Sequence, residues 1–511
     1  MAKFYVTTPI YYVNQSPHVG TAYTTIAADV LARFHRLLGD DTFFLTGTDE
    51  HGTKVEESAK QAQKSPRSFC DEIAEQFKIA WLNLNISNDN FIRTTDPHHE
   101  RAVSWVLKTL YDEGYIYKGN YTALYCVGCE QYKTKSELVK GKCPDHNIKP
   151  EERMEECYLF KLSSFQDELL TLIETDKLKI EPLQRKNEMV SFLEKEKLKD
   201  LAISRPKEKV SWGIPLPFDP SHTTYVWVDA FLNYLTGLGW PEDKKNFKRY
   251  WPPDVQLMAK DILRVHATIW PSILLALKLE LPKRIYVHGY FTVNGQKMSK
   301  SLGNVIDPNV LVGKYGPDVI RYFILAEFPF GTDGDFSIKR LEESYNFDLA
   351  NDLGNLLHRT IPMIEKYCQG KIPEAKDTSG FHEKLKDVSL NSAREVVRLI
   401  DDLDLRGSLT KIWEIVRAAN KYIDEAAPWA LAKESQIDRL NTVMVTIAES
   451  LRVIAVIASP FIPDTATKIW SQLGIGEPLE GQSLRSQLIW GKIPVGTAVK
   501  REEVLFPRIP D

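Results

Sequence analysis

Long apolar runs are missing from this 511-residue sequence; none reaches the roughly 18 consecutive residues that a membrane helix needs. Cysteine is scarce, six in all, which excludes a scaffold stapled by disulfides. An excess of positive charge is missing too. Against 65 Lys and Arg stand 69 Asp and Glu, a formal net charge of -4. Any contact with a nucleic acid therefore rests on local patches and shape, not on a global positive field. With 28 Pro and 27 Gly there is no collagen-like or low-complexity bias, and no internal repeat is present. The opening Met1–Thr8 is too short and strand-like for a signal peptide, and is not the Arg- and Ser-rich helix of a transit peptide. These absences point to a cytosolic globular enzyme of roughly two to four domains, with no membrane partner.

Along the chain, residues 4–13 are β-branched and aromatic and predict a buried strand, broken by Asn14-Gln15-Ser16-Pro17. Ala22, Ile26, Val30, Ala32 and Phe34 recur with helical spacing and predict a helix over about 19–38, ended by Gly39. Residues 42–48 predict a second strand. Strand, helix, strand is the opening of a doubly wound α/β domain, in which ligands sit at the carboxyl ends of parallel strands. The Lys/Glu-dense stretch 185–209 predicts a solvated helix. Residues 222–291 return to apolar strands and helices, taken as the second half of the sheet. After about Tyr345 the pattern is almost wholly helical, with loops at Gly370–Pro373 and Asp377–Gly380.

Three of the six cysteines fall close together. Cys126-Val127-Gly128-Cys129 and Cys143-Pro144-Asp145-His146 are two ligand pairs with thirteen residues between them. Cys126, Cys129, Cys143 and His146 make a closed set of three thiolates and one imidazole for a structural Zn²⁺. Asp145 could stand in for His146, though the spacing favours the histidine.

Two further motifs carry chemistry. Lys297-Met298-Ser299-Lys300-Ser301 is a small cationic loop, suited to neutralising a polyphosphate as charge builds up on it. Far upstream, Pro17-His18-Val19-Gly20-Thr21 stands between a strand and a helix. There unpaired backbone N–H groups and the helix dipole attract phosphate. His18 can donate to phosphate oxygens, and Gly20 lets a flat base lie on the backbone.

A His-x-Gly near the N-terminus with Lys-Met-Ser-Lys-Ser far downstream resembles the two-part ATP site of class I aminoacyl-tRNA synthetases. The resemblance narrows to the methionyl-tRNA synthetase family and covers almost the whole chain. It rests on the ordered blocks Pro9–Asn14, Thr46–Gly52, Ser211–Pro215, Tyr225–Ala230 and Lys260–Pro271. It implies a Rossmann-like catalytic domain, a doubly wound parallel sheet, with an inserted zinc-knuckle module and then an all-α helical bundle. The expected boundaries are 1–113 and 221–290 for the two halves of the catalytic domain and 114–220 for the insert, with the knuckle at about 121–156. Residues 291–345 would form the lysine loop and stem-contact region, and 346–511 the anticodon-binding domain.

The family's reaction is attack of a methionine carboxylate on the α-phosphate of ATP. Methionyl-adenylate forms, pyrophosphate leaves, and the methionyl group passes to tRNA(Met). Catalysis of this kind is positioning plus stabilisation of spreading negative charge, with Mg²⁺ accompanying ATP. Carried over by motif, Lys300, Lys297 and His18 stabilise the transition state. Thr21 stands where the family usually has a second histidine; its hydroxyl can still donate a hydrogen bond but carries no charge. Asp261, His288 and Gly289 would lie near the ATP ribose and base. Ile10, Tyr12, Trp227, Ala230, Tyr234, His266 and Trp270 would line the methionine pocket, and Asp49 would take the α-ammonium. Aromatic faces and edges suit a thioether, and a buried carboxylate suits an ammonium. Asn355, Arg359 and Trp429 would read the CAU anticodon, by base-edge contacts and stacking. The alternatives are a synthetase for another apolar amino acid, or a tRNA-binding paralogue that has lost catalysis. The helical part ends without a sign of an appended tRNA-binding domain, so a monomer is expected.

Overall fold

The computed structural model describes residues 2–14, 16–126, 131–133, 138–143, 147–293, 295–298, 304–377 and 380–510. The apolar stretch 4–13 is not one strand. Proline has no N–H to give a β-ladder, and at Pro9 the chain breaks into β1 (Lys3–Thr7) and β2 (Tyr11–Tyr12). Helix α1 follows over Val19–Leu38, as its periodicity predicts, and Gly39 closes it at φ 90°. Then comes β3 (Asp41–Asp49), with β1 and β2 both along one of its edges: Thr7 lies opposite Leu45 and Tyr12 opposite Asp49. On the other edge of β3 runs β4 (Asn90–Arg93).

The sheet is completed from far downstream by β5 (Lys179–Glu181), β6 (Val255–Ala259) and β7 (Arg284–His288). Its pairing order is β2-β3-β1-β6-β7-β5 with β4 beside β3, and every pairing is parallel. The direction of winding reverses between β1 and β6, which opens a crevice at their carboxyl ends. Helix α2 (Leu263–Ala276) leaves β6 through a short turn at Lys260–Ile262 and flanks that crevice.

Between β4 and β5 the chain makes an antiparallel pair, Ile116–Cys126 with Glu151–Phe160. The stretch 185–209 departs from the expected single helix. A helix does cover Leu183–Lys195, but the apolar Leu201-Ala202-Ile203 then turns inward. Leu201–Ala202 pairs with Leu159 and Phe160, and Ser204–Pro206 pairs with 222–224. A few buried apolar side chains outweigh the dense charge around them.

The C-terminal part is helical as expected up to Gln472, and chiefly irregular beyond. Its main members are α3 (Asn355–Tyr367), α4 (Gly380–Asp401), α5 (Leu405–Ala426), α6 (Pro428–Lys433) and α7 (Ile437–Ala458). By length and composition α7 could cross a membrane, yet nearly all of it is buried in this bundle, as in the core helix of a packed domain. One fully buried ion pair ties the bundle to the sheet domain. Arg321 sits 2.7 Å from Asp29 of α1 and donates to the carbonyls of Pro460 and Phe461 just after α7.

Candidate active site

At the head of α1, His18 is the N-cap. Its Nδ1 accepts from the Gly20 N–H at 3.1 Å, so the proton of the neutral ring sits on Nε2. Thr21 closes a capping box: its hydroxyl accepts from the His18 N–H at 3.0 Å and donates to the His18 carbonyl at 2.7 Å. The hydroxyl expected to face phosphate is here engaged in holding His18. A Cβ on Gly20 would lie 3.0 Å from the His18 ring and 3.6 Å from the Met298 methyl. The Val19 N–H donates to Ile306 O at 3.0 Å. Met298 of the lysine loop therefore lies near the start of α1, and Ile306 just beyond the loop is bonded to it. Lys297 pairs by its backbone with Thr292; its side chain and the whole of Lys300 lie outside the described residues.

His288, at the end of β7, is bonded to Thr24 of α1 at 2.6 Å and to Gly289 O at 2.7 Å. Burial pushes its pKa down to about 4, so the ring is neutral. Gly289 passes so close to Thr332 that a Cβ would lie 2.1 Å from its carbonyl oxygen; only glycine fits. Asp261 is exposed in the turn after β6. Beside it Lys260 pairs with Asp333 at 2.5 Å and lies 4.6 Å over the Tyr290 ring.

Beneath the crevice is an aromatic nest. Phe231 stacks between Trp227 (5.9 Å) and Trp270 (5.8 Å) and meets His266 edge-on at 4.8 Å. Tyr234 and His266 share a 2.8 Å hydrogen bond, and the other His266 nitrogen bonds to Ile262 O at 2.9 Å. Burial holds His266 neutral as well, with a pKa of about 4. The Trp270 N–H donates to Gln256 at 3.2 Å. Trp227 and Ala230 share the short helix Val226–Phe231, and Ile10 packs at the rim of the same apolar cluster.

Asp49 ends β3 beside Tyr12. It is 9% exposed, and its Oδ1 has no hydrogen-bond partner. Burial first, and then the Asp229 charge, raise its pKa well above the carboxylate range. Its neighbour Glu50 is bound twice by Arg93, at 2.7 and 2.8 Å. An orphaned buried carboxyl oxygen beside aromatic rings suits a cation of the size of an amino group.

Comparison with known proteins decides the family. A model described as tRNA synthetases class I (M) matches residues 4–149 and 146–361, and one described as the anticodon binding domain of methionyl tRNA ligase matches 372–511. The chain is 49% identical to the methionine–tRNA ligase of Caldanaerobacter subterraneus subsp. tengcongensis, over 99% of this chain and 79% of that protein. It is 44% identical to that of Thermotoga maritima, over 99% and 80%. Mycobacterium tuberculosis methionyl-tRNA synthetase in complex with methionyl-adenylate has the same fold, with TM-score 0.91 at 38% identity over 99% of this chain and all of that one. For the apo form of that enzyme the TM-score is 0.84.

The chain belongs to the methionyl-tRNA synthetase family. It is a methionine–tRNA ligase by that membership.

At the far end of this synthetase, Asn355 opens α3 and is exposed, and Arg359 lies one turn on. Arg359 pairs with Asp424 of α5 at 2.6 Å. Directly after α5 the chain turns at Ala427 with φ 43°, and Trp429 follows in the first turn of α6, 49% exposed.

In the insert, Cys126 ends its strand opposite Gln131. Cys143 is fully buried in a turn; its N–H donates to Ile148 O and its carbonyl accepts from the Asn147 N–H. Cys129, His146 and Asp145, and the side chain of Cys126, lie outside the described residues. Among the described residues no group of His, Cys, Asp and Glu is arranged to hold a metal. A buried thiol at a tight turn and a second cysteine at a strand end fit the expected zinc set.

Sequence reasoning missed Asp229, His51 and His99, which meet beside Asp49. The signal available was one aspartate inside the apolar run Val226–Phe231.

Proposed function

We propose that Asp49 binds the α-ammonium of methionine, with Ile10, Tyr12, Trp227, Ala230, Tyr234, His266 and Trp270 around the side chain. The unpartnered Oδ1 of Asp49, buried beside aromatic rings, carries this reading. His266 acts as a neutral polar tip among apolar walls, so the pocket accepts an uncharged thioether and rejects charged side chains.

At the crevice, His18 with its Nε2 proton, the backbone N–H groups at the head of α1, and Lys297 and Lys300 take the triphosphate. The nearness of Met298 to Gly20 and the bond from the Val19 N–H to Ile306 O support this convergence. Thr21 fixes His18 in place of making its own phosphate contact. His288, Gly289 and Asp261 border the ribose and base. Mg²⁺ bound with ATP would supply neutralisation of charge on the pyrophosphate leaving group. Asn355, Arg359 and Trp429 read the anticodon while the acceptor end of tRNA(Met) reaches the crevice. Cys126, Cys129, Cys143 and His146 would hold one Zn²⁺, which would supply structure to the insert and no chemistry. The cytosolic location and monomeric state read from the sequence belong to the same proposal, and sedimentation checks the second.

Amino-acid-dependent ATP–pyrophosphate exchange over all twenty amino acids tests the pocket. Exchange with methionine alone is expected. Exchange with a branched aliphatic amino acid, or none at all, would overturn the assignment.

A further inference from the structure

Three side chains close to the pocket have no part in the reaction above. Asp229 is fully buried within the apolar helix Val226–Phe231. Its Oδ2 is 2.7 Å from His51 Nδ1 and its Oδ1 is 2.9 Å from His99 Nε2. His99 is also fully buried and bonds through Nδ1 to the Thr236 hydroxyl at 2.7 Å. Two imidazoles hold this carboxylate far down, at about 2. As an anion it accepts from both rings: His51 donates from Nδ1 and His99 from Nε2.

The elements joined are the ones that matter for the pocket. His51 lies two residues beyond Asp49, on the turn leaving β3. Asp229 lies between Trp227 and Ala230. His99 lies on a third element, the helix Pro97–Asp112, and anchors the pair from behind. The same turn is clamped on its other side: the Trp212 N–H donates to Glu50 O at 2.6 Å, and the Gly52 N–H donates to Trp212 O at 3.0 Å.

We infer that the His51–Asp229–His99 array is the positioning device of the methionine pocket, setting the ammonium-binding turn against the helix that carries Trp227 and Ala230. Asp229, His51 and His99 are positioning residues, since each acts through another. The inference rests on the pocket reading above. A buried ionic joint of this kind fixes one relative setting of two elements, because a shift of either leaves a buried charge unpaired. Methionine is gripped at two points, ammonium and thioether, one on each element. The joint therefore sets the distance between the two grips, which ATP binding does not use.

The test is steady-state ATP–pyrophosphate exchange with methionine and ATP varied separately. Asp229→Asn keeps the shape but turns one acceptor into a donor facing an imidazole N–H. Its methionine KM is expected to rise about 10- to 100-fold, with the ATP KM within about threefold of the parent. His99→Gln can still donate an N–H toward Asp229 and is expected to stay within about threefold of the parent methionine KM; His99→Leu cannot, and is expected to rise about tenfold or more. Circular dichroism and cooperative unfolding check that each variant folds. If Asp229→Asn does not fold, the His99 pair decides. Equal losses for methionine and ATP, or equal behaviour of His99→Gln and His99→Leu, would overturn the inference. Asp49→Asn separates the two levels: an unchanged methionine KM there sinks the pocket reading itself, whereas a large rise there with none in Asp229→Asn sinks only the array.

Discussion

Beside the end of β3, Asp229, His266 and Trp270 are buried, and their polar atoms are bonded to neighbours on other strands, turns and helices. In the helical bundle, Trp429 is half exposed, Asn355 is exposed, and Arg359 holds a surface ion pair with Asp424. In the proposed reading the first region offers an unsatisfied buried oxygen, Asp49 Oδ1, to a small ligand. The second presents aromatic and hydrogen-bonding surface to something large. A small apolar amino acid must be recognised by exclusion, and exclusion needs a dry, over-determined pocket. Splayed bases are recognised by stacking and edge contacts, which need accessible side chains. The buried Arg321–Asp29 pair links the two regions through α1, so they share a frame while their chemistry stays separate.

The comparison breaks first at Asp49. Asp49→Asn should raise the methionine KM by about 10²- to 10³-fold, as expected when a buried charge pair loses one partner. Methionine affinity of the parent should also fall as the pH drops into the raised titration range of Asp49, because the ammonium needs the ionised carboxylate. Asp49→Asn should remove that slope, which calorimetric titration over pH would measure.

Next comes the other end. Trp429→Ala should leave ATP–pyrophosphate exchange intact and cut transfer to tRNA about 5- to 100-fold, the cost of one lost base-stacking contact. Equal loss in both assays would contradict the separation.

The proposed zinc set sharpens the comparison by offering a third region with a purely structural role. Metal analysis should give one zinc per chain, lost in Cys129→Ser, with exchange activity reduced far less than by Asp49→Asn. The chemistry of the donor set supports this expectation.

The smallest effect expected is on stability. An unfolded chain protonates His266 and His288 below about pH 6.5, whereas the folded pocket resists until about pH 4. Their contribution to stability is therefore full above pH 6.5 and falls as the pH drops toward 4, by up to about 3 kcal/mol for each ring. His266→Gln should flatten part of this acid slope in denaturant titrations.

Motif residues whose chemistry is local were legible in the sequence. His18 and Gly20 sit at a strand–helix junction that any strand–turn–helix pattern reveals, and the helix 19–38 follows from its periodicity. Pro9 interrupts the first strand because a missing N–H acts more strongly than a run of β-formers. The helix expected over 185–209 stops early because Leu201, Ala202 and Ile203 find partners distant in sequence. The His51–Asp229–His99 array left only one trace in the sequence, an aspartate in an apolar run, because its members are distant in the chain and meet only in the folded protein.

The central claim is that amino-acid recognition and anticodon recognition are chemically separate. Its most direct test sets Asp49→Asn beside Trp429→Ala, each measured for methionine-dependent exchange and for single-turnover transfer of preformed methionyl-adenylate to tRNA(Met). The account expects Asp49→Asn to lose exchange with transfer largely kept, and Trp429→Ala to show the reverse. Parallel losses in both steps for both variants would contradict it.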